Sequence, residues 1–347
     1  MFSVLEDGEG TSDSPAPPPP PQPIEAVELD GLVVLKIVKH CQQALPAFVT
    51  GQLLGLDIGS TLEVTNSFPF PTAERGEADE DSAEYQMEMM RCLREVNVDN
   101  NTVGWYQSTY FSSFIDEACV ETQFNYQSNI KSCVVLIYDP SRARSSGIAL
   151  RAFRLTETFM SLYAQGKVTF EALESANLNP SSDVFTELPI KVRNSHLHSA
   201  LLLELQEECA INTNAADFSK LELNTNPFLE KQLQLLIDCI EDLQQESNKL
   251  QSYERAVQRQ KSAQAGYLAK KRAEAQQRKA RGEAPLPEED TSSNPLFKPL
   301  TKPSRLDSML VTNQMAAYLQ QVNQFSGQNF VKLFLMQSLN KQVADAS

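Results

Sequence analysis

Residues 132–138, Ser-Cys-Val-Val-Leu-Ile-Tyr, are apolar almost without interruption. A strand with one wet face alternates polar and apolar side chains, so an unbroken β-branched run of this length belongs to a strand buried on both faces near the middle of a sheet. The flanking sequence supplies its neighbours and its covering helices. A short strand ends at Leu29, Asp30 stands as an N-cap, and a helix follows with Leu32, Leu35, Val38 and Lys39, closed by His40 as a partner for the helix dipole. Residues 51–56 and 61–68 form a hairpin around the turn Asp57-Ile58-Gly59-Ser60. An acidic exposed loop over 74–84 leads to a helix with one apolar stripe, Tyr85, Met89, Cys92 and Val96. A buried strand over 103–106, a helix through Ile115, Cys119 and Thr122, and a strand over 148–155 complete the set. This alternation predicts one mixed α/β domain over residues 25–165.

The remainder is organised differently. An appendage over 166–225 carries a strand near 187–192 and a helix over about 195–208. The pair His196 and His198 in that helix lies about 200° apart around its axis and cannot share a metal. A long helix over 226–282 follows, in which Leu229, Leu233, Leu236, Ile240, Leu243 and Leu250 recur at spacings of four and three, a heptad seam with Ser247 as its polar interruption. That seam must be covered, either by the last helix of the same chain or by helices of other chains. From Lys249 to Glu283 ten Lys or Arg stand against three Glu, which suits either a solvated helix or weak attraction to RNA phosphates. A Pro-rich linker over 283–304 precedes a terminal helix over 305–347 with Met315, Leu319, Val322, Phe325, Phe330 and Phe334. So much apolar surface asks for a partner. Both sets of residues are the candidate partner-binding site.

Composition excludes several classes of function. The net charge of −15 over 347 residues argues against a surface that tracks nucleic acid throughout. The six cysteines include no Cys-x-x-Cys pair and read as free thiols of a reducing compartment. No run approaches the roughly 18 apolar residues needed to cross a bilayer, and the first 24 residues, rich in proline and acid, read as a disordered tail, so a cytoplasmic protein without membrane contact is expected.

Gly104-Trp105-Tyr106-Gln107-Ser108-Thr109-Tyr110 resembles the Gly-Trp-Tyr-His-Ser-His-Pro signature of the MPN domain family, whose active members bind zinc. The resemblance implies an MPN-type mixed sheet flanked by helices, with a long-helix extension. It also puts Gln107 and Thr109 where two His ligands stand, Val120 at the Asp ligand, Glu117 at a Ser, and Leu56 at the general base. A hydrolytic zinc needs about three strong ligands and an open position for water. An amide, a hydroxyl and a valine do not supply them, so no catalytic residue, metal or cofactor is expected. The tail motifs Gly282-Glu283-Ala284-Pro285-Leu286-Pro287-Glu288-Glu289-Asp290 and Arg305-Leu306-Asp307-Ser308-Met309-Leu310 are similar to those of the noncatalytic MPN branch found in eukaryotic translation initiation factor 3. That resemblance implies a scaffold on the small ribosomal subunit, paired with the factor's other MPN protein, its F subunit, and joined through a helical bundle to the PCI-domain core subunits. An inactive scaffold of a proteasome-lid-like assembly is the alternative, and a ubiquitin isopeptidase is the third.

Overall fold

The computed structural model describes residues 23–71, 78–142, 149–166, 168–176, 178–179, 183–212, 227–281 and 297–346. The Pro-rich tail up to residue 22, residues 72–77 and most of the Pro-rich linker lie outside them, and the acidic run expected as a loop over 74–84 is helical from Ala78 on. In chain order the elements are β1 (Ala26–Asp30), α1 (Gly31–Ala44), β2 (Thr50–Ile58), β3 (Thr61–Pro69), α2 (Ala78–Glu95), β4 (Thr102–Ser108), α3 (Glu117–Asn129), β5 (Val134–Tyr138) and β6 (Leu150–Leu155). Then come α4 (Glu157–Ala164), α5 (Phe170–Ser175), β7 (Phe185–Leu188), β8 (Ile190–Arg193), α6 (His196–Asn212), α7 (Pro227–Arg281) and α8 (Leu306–Ala346).

The strands make one eight-stranded sheet in the order β7-β6-β5-β4-β2-β3-β1-β8. Every residue of β5 is buried, and it pairs in parallel with β4 and antiparallel with β6. Its side chains divide between two cores. Val134, Leu136 and Tyr138 join Val33, Ile37 and Leu53 on the α1 face. Val135 and Ile137 join Trp105, Val120 and Phe159 on the face covered by α3, α4 and the start of α8. The single strand expected near 187–192 is two, parted by Pro189, and they close opposite edges of the sheet: β7 pairs with β6, and β8 runs parallel to β1. Arg151 ties the first edge to Glu187 at 2.6 Å, and Arg193 ties the second to Glu63 at 2.7 Å.

Three helices differ from expectation in the face they bury. Asp30 caps α1 as expected, accepting from the Leu32 N–H at 3.0 Å. The inward residues are nevertheless Val33, Ile37 and Cys41, while Leu32 and Leu35 are exposed. Apolar residues surround the first turn of α1, and only Cys41, one turn beyond Ile37, distinguishes the buried stripe. His40 does not end the helix; it meets the Tyr106 hydroxyl at 2.8 Å. In α2, Tyr85 and Met89 are half-buried, but Cys92 is exposed and Val96 lies past the end. Asn97, at φ 57°, takes the left-handed conformation that stops the helix, with the Val98 N–H returning to the Leu93 carbonyl at 3.1 Å. Finally, α3 begins at Glu117 on an Asp116 cap, so Ile115 precedes it. Its buried face includes Gln123 and Gln127: Trp105 Nε1 donates to Gln123 Oε1 at 2.8 Å, and Gln127 exchanges hydrogen bonds with the Leu155 backbone. Polar side chains tolerate this burial because they are paired.

Candidate functional site

The Gly-Trp-Tyr-Gln-Ser-Thr motif lies on β4 and the turn after it. Gly104 is fixed by a close approach, since a Cβ there would stand 2.0 Å from the Val134 carbonyl oxygen of β5. The register pairs Gln107 with Thr50 on β2. Leu56 is six residues further along that strand, about 20 Å away, so the position matched to a general base lies nowhere near Gln107 and that correspondence is wrong. The residue beside the motif is Phe48, just before β2, whose ring faces Tyr110 at 5.7 Å. Phe48 has no group that could take a proton.

The other positions are committed to packing. The Thr109 hydroxyl is wholly buried and donates to the Ser113 carbonyl at 2.9 Å, while its N–H donates to Tyr138. Ser108 receives the Val49 N–H on its Oγ at 2.8 Å. Val120 is wholly buried in the cluster that contains Leu306, Met309 and Leu310. Glu117 is exposed in the first turn of α3. A zinc ion does not fit this donor set: one hydroxyl is used, one position is aliphatic and the one carboxylate faces water. Among the described residues no group of three or more His, Cys, Asp or Glu could hold a metal. Burial pushes the Cys41 thiol up to about 11 and those of Cys119 and Cys133 up to about 12, so these groups are neutral rather than nucleophilic.

The loop after the motif instead receives α8. Phe111 and Ser112 both have φ 57°, a strained pair held because Asp139 Oδ2 accepts from the Ser112 N–H at 2.8 Å and from its Oγ at 3.1 Å. So held, the loop presents its polar groups to α8. Gln314 Nε2 donates to the Ser112 carbonyl at 2.7 Å, Gln314 Oε1 accepts from the Ile115 N–H at 3.1 Å, and Gln321 Nε2 bonds to Ser112 Oγ. Gln321 in turn accepts from Gln232 of α7. With Cys239 and Asp238 near Tyr318 and Lys249 near Asp307, α7 and α8 run antiparallel as a hairpin.

The comparisons with known proteins agree with this geometry. A family model described as JAB1/Mov34/MPN/PAD-1 ubiquitin protease matches residues 22–132, and one described as the C-terminal region of eIF3h matches 144–345. Proteins named as the H subunit of eukaryotic translation initiation factor 3 are similar over nearly the whole chain. The relative from Arabidopsis thaliana is 50% identical, with 92% of this chain and 94% of its own length covered. That from Dictyostelium discoideum is 44% identical over 92% and 95%, and that from Nematostella vectensis 43% over 96% and 98%. The chain belongs to the eIF3h family, the H subunits of eukaryotic translation initiation factor 3.

In this eIF3h family member the partner-binding candidates fall into two groups. Leu229, Leu236, Leu243 and Leu250 are half-buried, as are Met315, Val322 and Phe325. Leu233 (42% exposed), Ile240 (48%), Leu319 (46%), Phe330 (62%) and Phe334 (69%) are open. The less exposed row of α7 is 229, 232, 236, 239, 243, 246 and 250, so Gln232, Cys239 and Glu246 take the places that apolar periodicity assigns to Leu233, Ile240 and Ser247. Periodicity also misses Gln314, Tyr318 and Gln321, the buried side of α8. His196 and His198 are both exposed on α6. No helix among the described residues is long and apolar enough to cross a membrane.

Proposed function

We propose that this chain is a noncatalytic scaffold subunit of eukaryotic translation initiation factor 3, supporting assembly of the pre-initiation complex on the small ribosomal subunit. The observation that carries the reading is the joint fate of the motif loop: Thr109 and Val120 stand in packing where ligands would stand, and the loop they flank binds the chain's own α8. What further supports it is that relatives named as subunits of that factor are similar through both the sheet domain and the helices. In this role the domain pairs with the factor's other MPN protein, its F subunit. The uncovered faces of α7 and α8 enter a bundle with helices of the PCI-domain subunits, and the basic half of α7 is the candidate for weak contact with RNA. The protein then acts in the cytoplasm.

Affinity purification of the tagged full chain from cell extract, read by mass spectrometry, should recover the other subunits of initiation factor 3 at equal stoichiometry. Recovery of proteasome-lid subunits without them would reject the reading. So would stoichiometric zinc in the purified chain together with chelator-sensitive cleavage of ubiquitin linkages.

A further inference from the structure

The distal half of α7 leaves its partner helix behind. Lys249 stands near Asp307 at the start of α8, so the residues of α7 beyond Lys249 run on past it. One side of this half is covered by the segment that leads into α8: Gln260 Nε2 donates to the Lys298 carbonyl at 2.6 Å, and the Tyr267 ring meets Phe297 at 6.1 Å. The opposite side is open and basic. Counting about 100° per residue from Arg255, Arg259 stands at about 40° and Lys270 at about 60°, one row; Lys261 at about 240° and Arg272 at about 260° make a second. All five are exposed, and among the described residues none of their side chains is in an ion pair. The acids from 254 to 281 are Glu254, which precedes the rows, and Glu274, at about 100° and outside the face between them.

The strip between the two rows is uncharged: Gln258, Ser262, Ala265, Ala269, Ala273 and Gln276, all exposed. What covers such a face follows from what the strip lacks. A partner helix packs on an apolar row between flanking charges, and a helix lying on a membrane buries aromatic or leucine side chains beside its lysines and arginines. The strip has neither, and Leu268, 37% exposed, stands outside it at about 220°. Single-stranded nucleic acid stacks its bases on open aromatic rings, but Tyr253 and Tyr267 of this half are half-buried on the covered side. A duplex asks for none of these, because its affinity comes from cations set against phosphates across a polar, wet interface. Reading bases takes long polar side chains at the centre of the face. Four of the six residues there are Ser or Ala, so the face is suited to the backbone and not to the sequence.

Resting on the ribosomal scaffold reading above, we propose that residues 255–276 of α7 bind double-stranded RNA across its minor groove, without selecting sequence. An A-form duplex presents a wide, shallow minor groove bordered by phosphates, while its major groove is too deep and narrow for side chains to read. The uncharged strip lies over that groove, and the two basic rows, about 140° apart around the helix, each reach one phosphate strand. B-form DNA does not offer the same fit. Its minor groove is narrow, and its wide major groove rewards the base-reading side chains that the strip lacks.

The test reads fluorescence anisotropy of the full chain with an RNA duplex of about 16 base pairs, a length that offers two successive minor grooves. One of its single strands and a DNA duplex of the same sequence are the comparisons. The RNA duplex should bind about tenfold more tightly than either, and an RNA duplex of unrelated sequence should bind equally. Replacing one row (Arg255→Gln, Arg259→Gln and Lys270→Gln) or the other (Lys261→Gln and Arg272→Gln) should weaken duplex binding about tenfold or more and lower the salt dependence by roughly the number of charges removed. The charge-keeping pair Arg255→Lys and Arg259→Lys, and Lys341→Gln on the exposed surface of α8, should bind nearly as the wild type does. If one row can be removed without loss, if the single strand or the DNA duplex binds as tightly, or if phosphatidylserine vesicles displace the duplex, the proposal is wrong. Both row variants should still recover the other initiation factor 3 subunits. Failure of the wild type to recover any of them is a different result: it removes the scaffold reading, while duplex affinity decides the site on α7.

Discussion

The sheet domain and the α7–α8 hairpin use apolar residues in opposite ways. In the domain, Leu53, Leu62, Leu136 and Phe159 are fully buried, and buried polar side chains such as Gln123 and Gln127 are paired, Ser67 Oγ being an exception. In the hairpin, the side of α7 that faces α8 mixes leucines with Gln232, Cys239 and Glu246, with Gln232 buried against Gln321, while Leu233, Ile237 and Ile240 are exposed. Burying a Leu or Ile side chain contributes about 1.5–3 kcal/mol. The domain takes that contribution within one chain. The hairpin leaves part of it exposed, so apolar content alone does not say where a core is.

The contrast breaks most directly at Val120. Restoring an acid there, Val120→Asp, puts a carboxylate into the cluster of Trp105, Phe159, Leu306 and Met309, with no cation and no open water. The expected cost is about 3–5 kcal/mol, as for an uncompensated buried charge. Urea unfolding should show it, along with faster hydrogen exchange in α8 residues 306–318. If the variant keeps wild-type stability, the former ligand position is not core and the domain is less committed to packing than described.

A smaller effect on the free chain, with a larger one on assembly, is expected from Leu233→Ala combined with Ile240→Ala. Both side chains are open in the monomer, so stability should change by no more than about 0.5 kcal/mol. Co-purification with partner subunits should fall several-fold. Leu236→Ala, on the less exposed row, should affect both measurements. Should the double variant unfold the hairpin while leaving assembly intact, the open and the less exposed rows would have to be exchanged.

The sequence made the strands legible because each carries its own signal. The apolar run of β5 and the Gly59 turn at φ 67° act locally. Helix faces were less legible, for a reason that recurs in three places. In α1 the apolar residues go all round, and Cys41 decides. In α3 the buried positions are Gln123 and Gln127, whose burial depends on partners in β4 and β6 that the helix's own sequence does not name. In α7 a search for apolar periodicity finds Leu229, Leu236, Leu243 and Leu250 of the closed row but joins them to the open Leu233 and Ile240, because the other residues of that row are Gln232, Cys239 and Glu246. At the positions that the resemblance matches to zinc ligands, the sequence itself already shows Gln107, Thr109 and Val120 in place of strong donors. The base position was misplaced at Leu56, since only the strand register shows that Phe48 stands beside Tyr110.

The smallest expected effect sharpens the contrast from inside the domain. His40 sits half-buried on α1, with its Nδ1 at 2.8 Å from the Tyr106 hydroxyl, and burial lowers its pKa below the ordinary 6.5. A lowered imidazole pKa means that the folded state binds fewer protons than the unfolded state between the two values. Stability is therefore full above about pH 6.5, the unfolded value, and falls as pH drops towards the folded one. The neutral ring is the form held against Tyr106, whose own hydroxyl is pushed well above its ordinary value by burial, so it remains a phenol throughout. NMR titration should place the His40 transition below the ordinary histidine value of about 6.5. Replacing His40 with Phe should flatten the pH dependence of urea midpoints over that window. If His40 titrates at the ordinary histidine value of about 6.5, its side of the sheet is wetter than the contact with Tyr106 implies, and the contrast between a closed domain and an open hairpin weakens at that edge.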